Sequence, residues 1–267
     1  MLLRVSLGAF AAIGIGFAGY RARALSWSGA FAAGIIGTVA VAAGWAWAVV
    51  LIGYFGVSTL LSKLGSHRKR ARLAGVVDKT GARDATQVMA NGFPFLLCGL
   101  LSLIQPSDEL FPWVVAGAGS LAASAADTWA TEIGTLVGQP PRSILTFRRV
   151  NVGESGGVTW AGWLAAFSGA AFVASVASLA WHEFFALPFI FVGGIAGAAV
   201  DSIIGASVQR RSWCDACGRP TEMRIHDCGT PSRHIGGFAW LENDGVNLIA
   251  TVTGAFVSGL GASLPRH

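Results

Sequence analysis

The sequence predicts an all-α integral membrane protein of about eight transmembrane helices, and its composition is the first reason. Of its 267 residues, 53% are hydrophobic and only 12% are charged, and the mean hydropathy is +0.58. Soluble domains carry roughly 25% charged residues. The 36 Gly and ten Trp suit membrane helices, in which Gly is frequent and Trp gathers at the interfaces. These features exclude a soluble enzyme, a disordered chain and a nucleic-acid-binding module.

The lengths of the hydrophobic runs predict where the helices lie. A transmembrane helix needs about 20 apolar residues, and the 38 residues from Leu25 to Ser62 contain no Asp, Glu, Lys or Arg. This run is long enough for two helices, with a turn expected at Gly44. The other spans are predicted at 2–19, 85–105, 111–137, 157–180, 186–209 and 243–263. A secretory signal peptide is the alternative for the first run, but no obvious cleavage site follows it, so a helix is expected there. Hydropathy alone also allows seven spans.

The basic residues predict the orientation. Seven Lys and Arg lie in loop 63–83, five in loop 209–240, three in loop 138–155 and two in loop 21–23, which together hold 17 of the 19. With eight spans all four loops lie on one side, and the positive-inside rule makes that side cytoplasmic. Loop 21–23 is expected only to orient the protein. The richer loops also attract lipid and nucleotide phosphates, so we expect an inner-membrane protein whose active site faces the cytoplasm.

Acidic residues occur inside or at the ends of the predicted spans. Asp127 and Glu132 lie within one span and Asp201 within another, while Asp84 and Asp244 begin two further spans. Ionisable groups in a membrane are costly and therefore indicate functional sites. The alternative interpretation is that such groups only bond one another across helix interfaces.

Polar side chains share helical faces with these acids. Gln87 and Asn91 follow Asp84 at i+3 and i+7, and Asn247 follows Asp244 at i+3. Each group therefore occupies one side of its helix. We expect these sides to converge on a polar interior near the cytoplasmic surface and to bind substrate there.

A weak internal repeat places Asp127-Thr128 and Asp201-Ser202 at similar depth. Each pair lies eight residues after a Gly, in predicted helices that run in the same direction. Paired Asp residues suit Mg²⁺, a hard cation that shares its coordination between one or two carboxylates and substrate phosphates. We expect Asp127, Asp201 and Asp244 to hold Mg²⁺.

Two loops could bind phosphate at helix starts. Lys79 and Arg83 precede one predicted helix, and Ser155-Gly156-Gly157 opens another. The free N–H groups and positive dipole at a helix N-terminus favour anions. Neither loop matches a Walker A motif, and a plain turn is the alternative for the Gly-rich segment.

Three cysteines and a histidine predict a zinc site in loop 210–240, which is expected to be a small insertion in a single transmembrane domain. Cys214-x2-Cys217-Gly is followed by His226-x-Cys228. A reducing cytosol disfavours disulfides, whereas four such ligands can complete a structural zinc tetrahedron. His234 is the rival to His226 as fourth ligand, and redox sensing is the alternative function.

Five segments carry a family resemblance. In chain order they are Lys79-x-Gly81-x-Arg83-Asp84-x-x-Gln87-Val88-x-Ala90-Asn91-Gly92, Ala126-Asp127-Thr128-x-Ala130-x-Glu132-Ile133-Gly134, Ser155-Gly156-Gly157-Val158-Thr159, Asp201-Ser202-x-x-Gly205-Ala206 with Gln209, and Asn243-Asp244-x-Val246-Asn247. Together they resemble an integral membrane protein family typified by the plant chloroplast phytyl-phosphate kinase, which is similar to the CTP-dependent polyprenol and dolichol kinases. The resemblance spans about residues 25 to 262.

The resemblance implies phosphoryl transfer from a nucleoside triphosphate, with CTP expected, onto an isoprenoid monophosphate in the membrane. Catalysis of this reaction is mainly positioning and charge neutralisation. The residues expected to be catalytic are Asp127, Asp201, Lys79 and Arg83. Those expected to bind substrate or nucleotide are Asp84, Gln87, Asn91, Thr128, Glu132, Ser155, Gly156, Gly157, Ser202, Asn243 and Asn247. No oligomeric state follows from the sequence.

Two other functions fit parts of this pattern. Cytidylyl transfer to a lipid phosphate would use the same residues but release diphosphate. A transporter or flippase would also contain an internal repeat and intramembrane carboxylates. The polar residues cluster toward one face, however, and the outer halves of the spans show none that would form a second gate.

The topology is the first testable prediction. A Cys introduced into loop 63–83 or loop 138–155 should react with a membrane-impermeant maleimide only after the cells are permeabilised, because the basic loops remain inside. A Cys at Glu183, in an opposite loop, should react in intact cells. Labelling of either basic loop in intact cells would overturn the eight-span topology.

Overall fold

Long helices form most of the fold, which a computed structural model describes over residues 2–77, 81–105 and 110–263. The α-helices in these residues are α1 Leu2–Arg21, α2 Trp27–Ala43, α3 Trp45–Lys63, α4 Ser66–Leu73, α5 Ala85–Ser102, α6 Leu110–Val137, α7 Trp160–Trp181, α8 Leu187–Ser207 and α9 Asn243–Ala262. A 3-10 turn, Phe184–Ala186, precedes α8.

The helices confirm a multi-pass membrane protein. Among the described residues, α3, α5, α7, α8 with its preceding turn, and α9 are long and apolar enough to cross a membrane. The apolar α2 is shorter, with 17 residues, while α1 and α6 occupy the positions of two further predicted spans. The expected turn between α2 and α3 lies at Gly44, whose φ of 154° suits glycine. The count of eight membrane spans stays a prediction.

Local sequence defines several helix starts. Asp84 caps α5 by accepting a hydrogen bond from the Gln87 N–H at 2.9 Å, and the Gln87 side chain accepts one from the Asp84 N–H at 3.2 Å. This reciprocal pair is a capping box. Thr159 caps α7 by accepting from the Gly162 N–H at 2.9 Å. Both helices therefore begin beside the loops that carry the candidate site.

The centre of the bundle is α6, which is surrounded by α5, α7, α8 and α9. Its middle is made of small buried residues, including Ala118, Ala122 and Ala125. Small residues let membrane helices pack with their backbones close together. Gly119 in α6 and Gly193 in α8 both face Ser258 of α9, and a Cβ added at either glycine would collide with the Ser258 Oγ.

A short basic helix, α4, closes the ends of two longer helices. Lys69 is buried and donates to the carbonyls of Leu61 and Ser62 at 2.7 and 2.9 Å, and its ammonium pairs with the Glu132 carboxylate. Arg72 donates to two carbonyls near the end of α6, at 2.5 and 2.9 Å. Helix C-termini leave such carbonyls unsatisfied. Part of loop 63–83 therefore stabilises the fold.

Within the described residues, five short strands lie between the helices, and none of them was predicted from the sequence. β1 Arg142–Ser143 pairs antiparallel with β2 Gly157–Val158, which closes the loop between α6 and α7. The segment between α8 and α9 forms an antiparallel sheet of β3 Arg211–Cys214, β4 Arg219–Thr221 and β5 Arg233–Gly236, in the order β4-β3-β5. This segment is called the Cys/His module below.

The Lys69–Glu132 pair should contribute to stability. Lys69→Ala removes one partner of a largely buried pair and should lower the free energy of unfolding by roughly 3 kcal/mol. Thermal unfolding of the detergent-purified protein measures the effect, with Arg68→Ala, at an exposed position of α4, as the control. The Lys69→Ala/Glu132→Ala double variant should recover part of the loss. If Lys69→Ala unfolds at the temperature of the control, the pair is not stabilising.

Candidate functional site

A polar cavity of about 480 Å³ lies where the helix ends meet the basic and Gly-rich loops. Its size is within the range of ligand-binding pockets. Thirteen of the sixteen residues predicted for the phosphate and magnesium sites line it: Arg83, Gln87, Asn91, Asp127, Thr128, Glu132, Ser155, Gly156, Gly157, Asp201, Ser202, Asn243 and Asn247. The chain thus brings residues from five separate segments to one place.

Asp127 of α6 and Asp201 of α8 meet in this cavity. Their carboxyl groups are within hydrogen-bonding distance of each other. One oxygen of Asp201, Oδ2, is buried without a hydrogen-bond partner among the described residues. Buried polar atoms normally have a partner, so this oxygen is available to a ligand. Two adjacent carboxylates with an unused oxygen fit Mg²⁺, which prefers oxygen ligands.

The Ser155-Gly156-Gly157 turn packs against the end of α8. Gly156 has a φ of 74°, and a Cβ there would collide with Ala206. A glycine is therefore required both for the backbone conformation and for the close approach. The N–H of Gly157 donates to the Glu154 carbonyl at 3.0 Å, so that donor is used within the turn.

Glu222 is a further acidic residue of the cavity, which was not predicted from the sequence. Its carboxylate accepts hydrogen bonds from the Ser155 hydroxyl and from Gln209 Nε2, the latter at 3.1 Å, and it lies close enough to Asp201 to repel its charge. Glu222 belongs to the Cys/His module and is outside all five family motifs. No local pattern could have identified it, because its position depends on how the module folds.

Basic residues surround the carboxylates. Those that line the cavity are Arg23, Lys63, Lys69, Arg70 and Arg83. Arg83 is held by its backbone, since its N–H donates to the Ala24 carbonyl at 3.0 Å and its carbonyl accepts from the Ser26 N–H at 2.9 Å. Loop 21–23, which was expected only to orient the protein, contributes Arg23 to the cavity, and the residues directly after it fix Arg83. Lys79 lies outside the described residues.

Several residues that were predicted to bind substrate or metal also have structural roles in the protein. Asn91 accepts a hydrogen bond from the Ser124 hydroxyl at 2.7 Å and donates to the Gln87 carbonyl at 2.8 Å, so it connects α5 to α6 while lining the cavity. Asp84 is the N-cap of α5 and is not among the cavity-lining residues. Asp244 lies in the first turn of α9, likewise outside the lining.

The Cys/His module brings its four predicted ligands together. Cys214 Sγ lies 3.6 Å from Cys228 Sγ, and His226 Nδ1 lies 3.6 Å from Cys217 Sγ and 3.2 Å from Cys228 Sγ. Bond lengths of about 2.3 Å for Zn–S and 2.0 Å for Zn–N predict ligand separations of about 3.5 to 3.8 Å in a tetrahedron. The four residues can therefore hold a metal ion. His234 is outside this cluster, and its Nε2 contacts a backbone carbonyl at 3.1 Å.

Two thiols of the cluster have pKa values shifted in opposite directions. Hydrogen bonds from Thr230 lower the pKa of Cys228 to about 6, whereas the hydrogen bond with Cys228 raises the pKa of Cys217 to about 11. Metal ions bind the thiolate form of cysteine. A metal ion bound here must therefore displace a proton from Cys217, while Cys228 is already ionised at neutral pH.

Backbone hydrogen bonds fasten the module to the membrane helices. Phe238 N–H donates to the Val208 carbonyl at the end of α8, and Arg210 N–H donates to the Leu241 carbonyl before α9, both at 2.8 Å. Glu222 N–H donates at 2.8 Å to the Val76 carbonyl, in the segment after α4. The Cys/His cluster and Glu222 are thus parts of one folded unit beside the cavity.

Three named proteins are similar to this chain over most of its length. A protein of Arabidopsis thaliana named PGR is 29% identical over 275 residues, which cover 93% of this chain and 92% of PGR. An uncharacterized membrane protein of Methanocaldococcus jannaschii is 28% identical over 239 residues, which cover 89% and 85%. The chloroplastic VTE6 of A. thaliana is 28% identical over 242 residues, which cover 88% and 64%. No solved structure matches.

The family model for the integral membrane protein DUF92 matches residues 10–255. This match covers most of the sequence and includes all five motifs, so the family relationship expected from those motifs is confirmed. The chain belongs to the DUF92 family of integral membrane proteins.

Proposed function

We propose that this protein is a membrane-embedded kinase that phosphorylates an isoprenoid monophosphate to the diphosphate, with a nucleoside triphosphate as donor. The observation that carries the proposal is the meeting of Asp127 and Asp201 in a cavity rimmed by basic residues. The resemblance of the five motifs to the prenyl-phosphate and polyprenol kinases supports the same chemistry, with CTP as the expected donor.

Asp127 and Asp201 would hold Mg²⁺. A bound Mg²⁺ neutralises charge on the transferred phosphoryl group. Asp244 stays a prediction as a third ligand, since it begins the helix that carries Asn243 and Asn247. Glu222 would keep the Ser155 hydroxyl in place within the cavity.

The basic residues would bind the two phosphate-bearing substrates. Arg83, Arg23 and Arg70 provide guanidinium groups that suit phosphate oxygens, and Lys79 stays a prediction. An oxygen of the acceptor phosphate attacks the terminal phosphorus of the donor, and the bond from that phosphorus to the bridging oxygen breaks. The electron pair leaves with the nucleoside diphosphate. An acceptor that is already an anion needs no strong base, so positioning and charge neutralisation suffice.

The metal of the Cys/His module would be a structural Zn²⁺. Three thiolates and one imidazole form a closed tetrahedral shell with no open position for a substrate. We place the protein in the inner membrane, with the basic loops and the cavity toward the cytoplasm, where the nucleotide is available.

The carboxylates provide the sharpest test of the kinase. The purified protein is incubated with labelled CTP, ATP or GTP, Mg²⁺ and a panel of prenyl phosphates, and the products are resolved. Asp127→Asn and Asp201→Asn should each lower turnover at least about 100-fold, because the amide keeps the shape but loses the charge that the cation needs. Glu222→Gln should lower turnover about tenfold, because it disturbs the Ser155 contact. Glu183→Gln, in the turn before α8, is the control.

Near-normal turnover in Asp127→Asn or Asp201→Asn would show that the substituted aspartate is not catalytic and serves only in helix packing. Release of diphosphate with a cytidylylated lipid would instead identify a cytidylyltransferase. The absence of any nucleotide-dependent product across the panel would contradict the kinase.

The zinc site has its own prediction. The purified protein should contain about one Zn²⁺ per chain, and Cys214→Ser and His226→Ala should each lose it, because both remove a ligand from the closed shell. His234→Ala is the matched control and should keep the metal, since His234 lies outside the cluster. Elemental analysis measures the content. Zinc retained in His226→Ala but lost in His234→Ala would reassign the fourth ligand, and no zinc in the unaltered protein would remove the site.

A further inference from the structure

A second cavity, of about 210 Å³, is lined mainly by residues of α1, α2, α3 and α5, and it shares Arg83 with the polar cavity. Its walls are mainly small and aliphatic side chains, including Ala12, Ile36 and Ala48. The Tyr54 hydroxyl, which belongs to a lining residue, is already bonded to the Ser124 hydroxyl at 2.6 Å. An occupant of this cavity must therefore be apolar, because few polar partners are available to it.

The two cavities are adjacent. Arg83, Gln87 and Asn91 line both of them, and Arg83 is the one charged residue among the described residues that line the apolar cavity. A molecule with a phosphate at one end and a hydrocarbon chain at the other would match this arrangement. Its phosphate would contact Arg83 on the polar side, and its chain would extend past Gln87 between the helices.

We propose that the apolar cavity binds the isoprenoid chain of the acceptor, with the phosphate of the same molecule at Arg83. This assignment rests on the proposed function and adds the orientation of the substrate and the part of the protein that selects its chain. Lipid tails are as apolar as the cavity wall, so a chain gains little hydrophobic free energy by moving from the bilayer into the cavity. Selection among acceptors with different hydrocarbon chains must therefore depend on the shape of the cavity, which small residues such as Ala12 and Ala48 keep open.

The first test fills the cavity. Ala48 is buried and lines it, whereas Ala46 is also in α3 but does not line it. Ala48→Leu should lower kcat/KM for geranylgeranyl phosphate about tenfold and leave that for the short dimethylallyl phosphate within about twofold. Ala46→Leu should change neither. An equal loss on both acceptors, or no loss on either, would overturn the proposal.

The second test does not require turnover, so it separates the cavity assignment from the kinase itself. A geranylgeranyl phosphate analogue with a diazirine at the chain end is photo-crosslinked to the purified protein, and the labelled peptides are mapped. Label should appear in α1, α2, α3 or α5, whose residues line the cavity, and decrease several-fold in Ala48→Leu but not in Ala46→Leu. Label confined to other helices would overturn the assignment. Equal labelling by a straight-chain alkyl phosphate probe would contradict the preference for an isoprenoid and identify a general site for lipid tails.

Discussion

The close approach of α6, α8 and α9 is the constraint on which the candidate site depends. Gly119 and Gly193 both face Ser258, and neither position has room for a Cβ. Each glycine precedes its aspartate by eight residues, which is about 12 Å along a helix. Because both helices are held against the same point of α9, Asp127 and Asp201 reach the same depth and meet. Larger residues at these glycines would separate the helices and, with them, the carboxylates.

A fold that brings these carboxylates together needs compensating positive charge. Charged groups within a membrane are costly, and Glu222 adds a third acid close to Asp201. Lys69 neutralises Glu132, but it is fully occupied by that contact and by two carbonyls. The remaining acids therefore favour the binding of a cation, and the arginines around the cavity favour the anions that such a cation accompanies. Binding of the proposed cation and phosphate-bearing substrates would therefore reduce the repulsion among the acids and stabilise the site.

The sequence predicted the features that depend on local rules, and it missed those that depend on tertiary structure. Run lengths and Gly44 located the helices, because membrane spans must be long and apolar. The spacing of Asp84 and Gln87 was interpreted as a functional face, although the same spacing is that of a capping box, which is what forms. Glu222 and Arg23 could not be predicted as cavity residues, since Glu222 is positioned by the Cys/His module and Arg23 precedes the segment whose Ala24 and Ser26 bond the backbone of Arg83.

A metal ion in the Cys/His module would stabilise the part of the protein that lies beside the membrane site. The strands of the Cys/His module have only three or four residues, and so small a sheet without a substantial core is marginally stable in water. Glu222 lies between Cys217 and His226 along the chain. A metal ion that joins those two residues closes the loop that carries Glu222 and reduces the conformations open to it. The proposed zinc would thus contribute to the cavity by fixing the backbone from which Glu222 reaches Ser155 and Asp201.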